Sequence, residues 1–219
     1  MSNQLDFKSK NIFIGGSSNG IGWESAKLFS DFGGNVTLVS RNDKILRQRI
    51  SELTNNGAQN HNYIALDFST PNKLELKLKE FIRENSINYD VIINNSGGPP
   101  SGELENATTE DLLQAFNLHL ISFHKILGVL LGGIKNKESG RIINIISTSV
   151  KQPLNGLGVS NTIRGAVANW AKTLANELGP YNITVNNILP GATNTGRLKE
   201  IINNKAQKLN LKESTIEKQ

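Results

Sequence analysis

The strongest constraint in this chain is a run of glycines at the start of a helix. Gly15–Gly22 reads GGSSNGIG, directly after the apolar run Asn11–Ile14 and before an amphipathic segment, Ile21–Phe32. A strand that breaks into glycines and re-enters a helix lets the backbone approach a ligand closely, because glycine has no Cβ. The unpaired N–H groups of the first helical turn then point at an anion, which suits a phosphate. The same spacing also describes an ordinary tight strand–helix turn, so the remainder of the chain has to decide between the two.

Five further apolar runs follow the first. Val36–Val39 reads as a second strand, ending at Ser40 and Arg41, and Asn42 caps a helix to about Asn55 with Ile45, Leu46, Ile50 and Leu53 inward. Tyr63–Leu66 is a third strand, ended by Asp67, Phe68 and Ser69. Pro71 suits the first turn of the next helix, which carries Leu74, Leu78, Phe81 and Ile82. Asp90–Ile93 is a fourth strand, followed by Asn94, Asn95, Ser96, Gly97 and Gly98. Thr108 with Asp111 predicts a capping box for a long helix to about Asn136. Arg141–Ile146 is the fifth strand, Ser160–Leu178 a helix, and Ile183–Leu189 the sixth strand, ending at Pro190 and Gly191.

Apolar strands alternating with helices call for a parallel sheet covered on both faces. Right-handed crossovers place ligands at the C-terminal ends of such strands. The polar or glycine-rich breaks fall there every time, at Gly15–Gly22, Ser40/Arg41, Asp67/Phe68, Asn95–Gly98, Ser147 and Pro190/Gly191. The fold expected is therefore α/β, a Rossmann-type doubly wound parallel sheet in three layers, as a single dinucleotide-binding domain over residues 1–219.

The length of 219 residues suits one sizeable core and is short for two domains. No N-terminal signal pattern is present, and the apolar stretch Ile126–Ile134 is too short to span a bilayer. With no cysteine, disulfides and thiolate metal sites are excluded, which fits a cytoplasmic protein. The net charge of +5 raises a nucleic-acid partner, but the lysines are scattered beside glutamates, as in Lys77–Glu84 and Lys199–Lys218, and read as a solvated face. No nucleic-acid, membrane or metal partner is expected.

In their order, these signals resemble the short-chain dehydrogenase/reductase family over nearly the whole chain. The family's TGxxxGxG turn appears as Gly15–Gly22, with Gly15 in place of threonine, so Gly16, Ser18, Asn19, Gly20, Ile21 and Gly22 are expected at the cofactor. Asp67, with Phe68, matches the aspartate that contacts adenine. The NNAG motif appears as Asn94, Asn95, Ser96 and Gly97, and the PG motif as Pro190 and Gly191, with Thr195 where a threonine contacts the nicotinamide amide.

Sites of this type that prefer NAD place a carboxylate after the second strand, to bind the ribose hydroxyls. Here that position is Ser40, followed by Arg41. Serine tolerates a 2′-phosphate and an arginine fork binds it, so NADP(H) is expected over NAD.

Catalytic residues implied by the resemblance are an asparagine, a serine, and a tyrosine and lysine spaced YxxxK. Asn117 and Ser147 occupy the first two positions. The tyrosine position is Ser160 and the lysine position Arg164, in SNTIRGAV. The stripe Ile163, Val167, Trp170, Leu174 and Leu178 supports this register and leaves Ser160 and Arg164 together on another face. Reduction of a carbonyl requires a proton. Serine is far less acidic than a phenol, and the arginine proton is not available for transfer. Tyr63, Tyr89 and Tyr181 lie where no equivalent role is expected, and His119 and His124, on the helix of Asn117, read as packing or surface residues.

The stretches NNSGGPPSG (Asn94–Gly102) and VSNTIRGAV (Val159–Val167) further resemble a 3-oxoacyl-[acyl-carrier-protein] reductase-like subgroup that carries Ser-Asn and an arginine at the same positions, so the substitution reads as a lineage feature. Pro99 and Pro100 would stiffen the loop on the substrate side. Leu198–Gln219 can supply only part of the family's substrate-covering segment, and the seventh strand is expected to be missing, by truncation or with another chain covering the edge. The resemblance implies a homodimer or homotetramer through the Thr108–Asn136 and Ser160–Leu178 helices. Two functions remain open: an oxidoreductase acting on a carbonyl or secondary alcohol, and an NADP(H)-binding sensor or partner subunit without turnover.

Overall fold

Each of the six apolar runs becomes a strand: β1 (Asn11–Gly15), β2 (Asn35–Ser40), β3 (Asn62–Ala65), β4 (Val91–Asn94), β5 (Gly140–Ile145) and β6 (Ile183–Ile188). The protein is described by a computed structural model that covers residues 5–216, the side chain of Lys208 excepted. All neighbouring strands pair in parallel, in the order β3-β2-β1-β4-β5-β6. The order reverses between β1 and β4, and a ligand crevice opens at such a switch point.

Among the described residues eight α-helices accompany the strands: α1 (Gly20–Asp31), α2 (Asp43–Glu52), α3 (Pro71–Asn85), α4 (Thr109–Ala115), α5 (Ser122–Asn136), α6 (Gly158–Leu178), α7 (Gly196–Leu209) and α8 (Glu213–Ile216). Period-two alternation divides the strand side chains between two cores. Phe13, Val39, Ile92 and Ile142 pack with Leu74, Phe123, Ile126 and Val167, whereas Ile12, Ile14, Leu38 and Ile93 pack with Trp23, Ala26 and Leu46. This is the three-layer arrangement expected for a doubly wound sheet.

Several sequence expectations hold in detail. Thr108 and Asp111 form the reciprocal capping box, Asn42 caps α2 by accepting from Ile45 N at 3.1 Å, and Pro71 opens α3. Others shift. The second helix stops at Glu52, and Ile45 is exposed, since only one stripe of this short helix reaches the sheet. On α6, Ala171 is buried where Trp170 was expected; Trp170 is half-buried and meets His124.

The span Thr109–Asn136 is not one regular helix. Phe116–Ile121 forms a π-helical turn between α4 and α5, with Ser122 N bonded to Asn117 O. At 28 residues this span is long and apolar enough, by length and composition, to cross a bilayer, which Ile126–Ile134 alone does not suggest. Its inner stripe of Phe123, Ile126, Leu127, Leu130 and Ile134 is buried against the sheet. Among the described residues no seventh strand follows α7, and β6 pairs only with β5.

Candidate active site

The glycine turn is held from below and from the side. Ser17, fully buried, accepts from Val39 N at 2.7 Å, and its own N–H donates to Val39 O at 3.1 Å, which fastens the turn to β2. Asn95 Nδ2 donates to Gly15 O at 3.1 Å and Gly16 O at 3.4 Å. Close approach explains the glycines: a Cβ on Gly22 would sit 2.4 Å from Gly16 O, and Gly16 itself has φ +59°. Asn19 heads α1 without a side-chain cap, and no acidic residue lies in the first turn. The helix therefore presents uncapped N–H groups beside Gly20 and Ile21, and the turn fits a dinucleotide pyrophosphate.

Arg49 is a contributor that the sequence did not reveal. It donates from Nε to Ser18 O at 3.1 Å and lies over the Trp23 ring at 4.6 Å, bracing the turn from α2.

At the end of β2, Ser40 Oγ is buried without a partner. Arg41 is exposed and lines one surface pocket with Asn42, Asp43 and Lys44. Asp43 is engaged by Arg47 at 2.7 Å, so this corner presents Arg41 and Lys44 as cations. After β3, Asp67 Oδ1 accepts from Ser69 N at 2.9 Å and Ser69 Oγ at 2.7 Å, and Phe68 packs edge-on against Phe123.

On the other half of the rim, α6 touches both the π turn that carries Asn117 and the short turn that starts at Ser147. Ser147 Oγ accepts from Ser149 N at 3.0 Å, which leaves its hydroxyl hydrogen to be donated elsewhere. Arg164 is buried and donates from Nη1 to Ile145 O at 2.8 Å, one strand end below Ser147. Burial, with a smaller push from Arg197, lowers its guanidinium to about 10. Ser160 lies one turn earlier on α6, half-buried. The π turn offsets the helix by one residue where Asn117 sits, a device common at functional sites.

His119 is a packing residue, one of the two roles read for it from the sequence: its ring meets Phe123 edge-on with 6.0 Å between centroids. It is fully buried, with Nδ1 2.7 Å from Ser96 Oγ, and its Nε2 has no partner. Burial first, then the charges of Arg164 and Arg197, hold its pKa well below the ordinary histidine value, so the ring is neutral at neutral pH. His124 does lie outward, against Trp170.

Thr195 covers the glycine turn: its Cγ2 would stand 3.4 Å from a Cβ on Gly20. Arg197, another residue the sequence did not single out, donates to Pro99 O and pairs with Glu200 at 3.1 Å, tying α7 to the loop after β4. Pro190 O accepts from Thr148 N at 3.3 Å and Gly191 leads into Thr195, so the PG turn joins the ends of β5 and β6. Gly97 and Gly191 have nothing within 4 Å of an added Cβ and face open space.

All three tyrosines lie away from this rim. Tyr89 precedes β4 and donates to Thr37 Oγ1 at 2.9 Å, with burial raising its pKa. Tyr63 lies within β3 under Arg47, and Tyr181 precedes β6 beneath Lys135.

The family profile described as short chain dehydrogenase matches residues 10–206. The chain is 34% identical over 200 residues to the 3-oxoacyl-[acyl-carrier-protein] reductase FabG of Buchnera aphidicola, covering 89% of this chain and 76% of that one. To the NADPH-dependent reductase BacG of Bacillus subtilis it is 26% identical, over 96% of this chain and 81% of the relative. In structure it superposes on L-sorbose reductase from Gluconobacter frateurii, solved with NADPH and L-sorbose, with a TM-score of 0.85 at 26% identity, over 93% of this chain and 77% of that one. A doubly wound sheet with its glycine turn, Asn95 clamp and PG turn on one rim, matched by that profile over most of its length, makes this chain a member of the short-chain dehydrogenase family.

Proposed function

We propose that the chain is an NADP(H)-dependent oxidoreductase that interconverts a small-molecule carbonyl compound and the corresponding secondary alcohol. The observation that carries the cofactor choice is the end of β2, where Ser40 stands in place of a carboxylate and Arg41 and Lys44 line one pocket. Two cations suit a 2′-phosphate, and the acid nearest in sequence, Asp43, is already paired with Arg47. The NADPH-dependent reductase and the NADPH-bound sorbose reductase support this choice. The FabG relative supports a 3-oxoacyl thioester as one substrate class.

In this reading the N–H groups of Gly16, Ser18, Asn19, Gly20, Ile21 and Gly22 hold the pyrophosphate. Asp67 and Phe68 flank the adenine, and Asn95, Ser96, Gly97, Pro190, Gly191 and Thr195 border the nicotinamide half. When bound, the cofactor supplies or accepts the hydride. Ser147 donates its free hydroxyl hydrogen to the substrate oxygen. Arg164 binds the nicotinamide ribose and keeps that corner positive, but it does not give up its proton at neutral pH. Asn117, at the π turn, holds a water, and Ser160 with that water relays the proton that the missing phenol would deliver. The protein is read as a cytoplasmic homodimer or homotetramer that uses α4–α5 and α6, with no nucleic-acid or membrane partner.

A second reading, NADP(H) binding without turnover as a sensor or partner subunit, is favoured by one observation: no tyrosine stands at the rim. Titration with NADPH and NADH, followed by a carbonyl panel monitored through nicotinamide absorbance, separates the two. NADPH binding with oxidation supports the enzyme. Tight binding without oxidation across the panel supports the sensor, and preference for NADH removes the argument from Arg41.

A further inference from the structure

Arg49, on α2, is fixed against the glycine turn by three contacts. Its Nε donates to Ser18 O at 3.1 Å, its Nη1 donates to Glu52 Oε2 at 2.5 Å, and its guanidinium lies 4.6 Å from the centre of the Trp23 ring. Trp23 is buried and gives the planar cation a firm bed, so the fork is oriented before any ligand arrives. A guanidinium offers five N–H donors, and its hydrogen bonds here use only two of them. Among the described residues Nη2 has no partner, and the side chain is 29% exposed, so the spare donors are within reach of a ligand.

A chain of contacts fixes where those donors lie. Ser18 follows Ser17, which is bonded twice to Val39: Val39 N donates to Ser17 Oγ at 2.7 Å, and Ser17 N donates to Val39 O at 3.1 Å. Ser40 and Arg41 come directly after Val39. The carbonyl that Arg49 holds is therefore one residue from the seam between turn and β2, and Ser40 is one residue from the same seam on the other side. The acids beside these cations are already engaged. Asp43 pairs with Arg47, Glu24 with Lys27, and Glu52 with Arg49 itself. The Glu52 side chain is solvent-exposed, so its hold on Nη1 is that of a surface pair, which a doubly charged phosphate can displace.

We propose that Arg49 is a specificity-determining residue for the cofactor: its spare N–H groups bind the 2′-phosphate from the side of the glycine turn, opposite Arg41 and Lys44. Glu52 holds the fork in place until the phosphate takes it over. The proposal rests on the NADP(H) reading above and deepens it with a residue from within α2. Two anionic groups of the cofactor can meet such a fork, the pyrophosphate and the 2′-phosphate. The 2′-phosphate is favoured because the pyrophosphate has the uncapped N–H groups at the start of α1, whereas Ser18 lies on the side of the turn fastened to β2.

The test measures Kd for NADPH and for NADH by fluorescence titration in the parent, Arg49→Met and Glu52→Gln. Methionine keeps an apolar stem over Trp23 and removes the fork. Loss of the bond to Ser18 O weakens both cofactors alike and cancels in the ratio of their affinities, so the ratio isolates the 2′-phosphate. In Arg49→Met the preference for NADPH is expected to fall about tenfold. An unchanged ratio, whether both affinities fall or neither does, overturns the proposal and leaves Arg49 as a brace. Equal losses for NADPH and NADH, with adenosine 2′,5′-bisphosphate bound as before, assign the fork to the pyrophosphate and also overturn it. Should Arg49→Met fail to fold, Glu52→Gln decides, because it keeps the fork and removes only a surface carboxylate. There the preference for NADPH is expected to rise about threefold, and an unchanged or lower preference overturns the proposal. A parent that binds NADH as well as NADPH removes the NADP(H) reading and the proposal with it. A parent that prefers NADPH, with a ratio that Arg49→Met leaves unmoved, removes the proposal alone.

Discussion

Asn95 reaches across 80 residues of sequence to donate to Gly15 O at 3.1 Å, joining the loop after β4 to the turn after β1 at the point where the sheet order reverses. A second, longer bond from the same amide to Gly16 O makes it a clamp on the glycine turn. In Asn95→Ala both carbonyls lose their donor. Stability falls by about 1–2 kcal/mol, the cost of a lost part-buried hydrogen bond. The turn loosens as well, so the Kd for NADPH, read by fluorescence titration, rises about tenfold or more. An unchanged Kd would show that the turn keeps its shape without the clamp.

Gly22 tests the same turn by steric means. A Cβ there meets Gly16 O at 2.4 Å and Asn95 Nδ2 at 2.9 Å, both fixed by the clamp. Gly22→Ala is expected to cost about 1–3 kcal/mol, as overpacking does, and to abolish detectable NADPH binding. Gly97→Ala is the control, since nothing stands within 4 Å of its Cβ. It should unfold at the parental denaturant concentration, so any loss of NADPH affinity in that variant reports a clash with the cofactor itself.

His119 yields a pH prediction with a definite sign. Its pKa is lowered by folding, so the native state binds fewer protons than the unfolded chain as pH drops below about 6.5, and stability falls with it. Between about pH 7.5 and 5.5 the parent should lose stability, on the order of 1 kcal/mol, that His119→Gln does not lose. Urea unfolding of the two proteins at both pH values measures the difference. Equal losses would mean that the ring takes up its proton inside the fold, against Arg164 and Arg197.

The strands, their parallel pairing and the polar or glycine-rich breaks at their ends were legible because each depends on local signals: short apolar runs, glycines, and polar residues at strand ends. Asn42, Thr108 and Pro71 likewise act within a turn of their own positions. The residues left undecided or passed over depend on contacts distant in sequence. Nothing local distinguishes His119 from His124, five residues later on the same span. The π turn and Ser96, 23 residues away, bury one, and Trp170, 46 residues away, covers the other. Arg197 reads as an ordinary helical arginine until Pro99, 98 residues earlier, accepts its hydrogen bond. Ser17 lay in view inside the glycine turn, but its role requires Val39 on the neighbouring strand.

Beneath the rim, an asparagine chain crosses three strands. Asn94 Nδ2 donates to Asn144 Oδ1 at 2.8 Å, and Asn144 Nδ2 donates to Asn187 Oδ1 at 3.0 Å, following the register that sets the three residues side by side. Asn144 is fully buried and serves both neighbours, whereas Asn187, on the edge strand, is only half-buried. Asn94 Oδ1 already lacks a partner, so removing Asn144 leaves that whole amide unpaired in the core. Asn144→Ala should therefore cost about 2–3 kcal/mol by urea unfolding, and Asn187→Ala about 1 kcal/mol or less, since water can replace the outer bond. The double variant should cost little more than Asn144→Ala alone, because the inner substitution already strips Asn187 of its donor. Additive losses would mean that the three side chains act separately and that the chain does not tie β4, β5 and β6 together beneath Ser147.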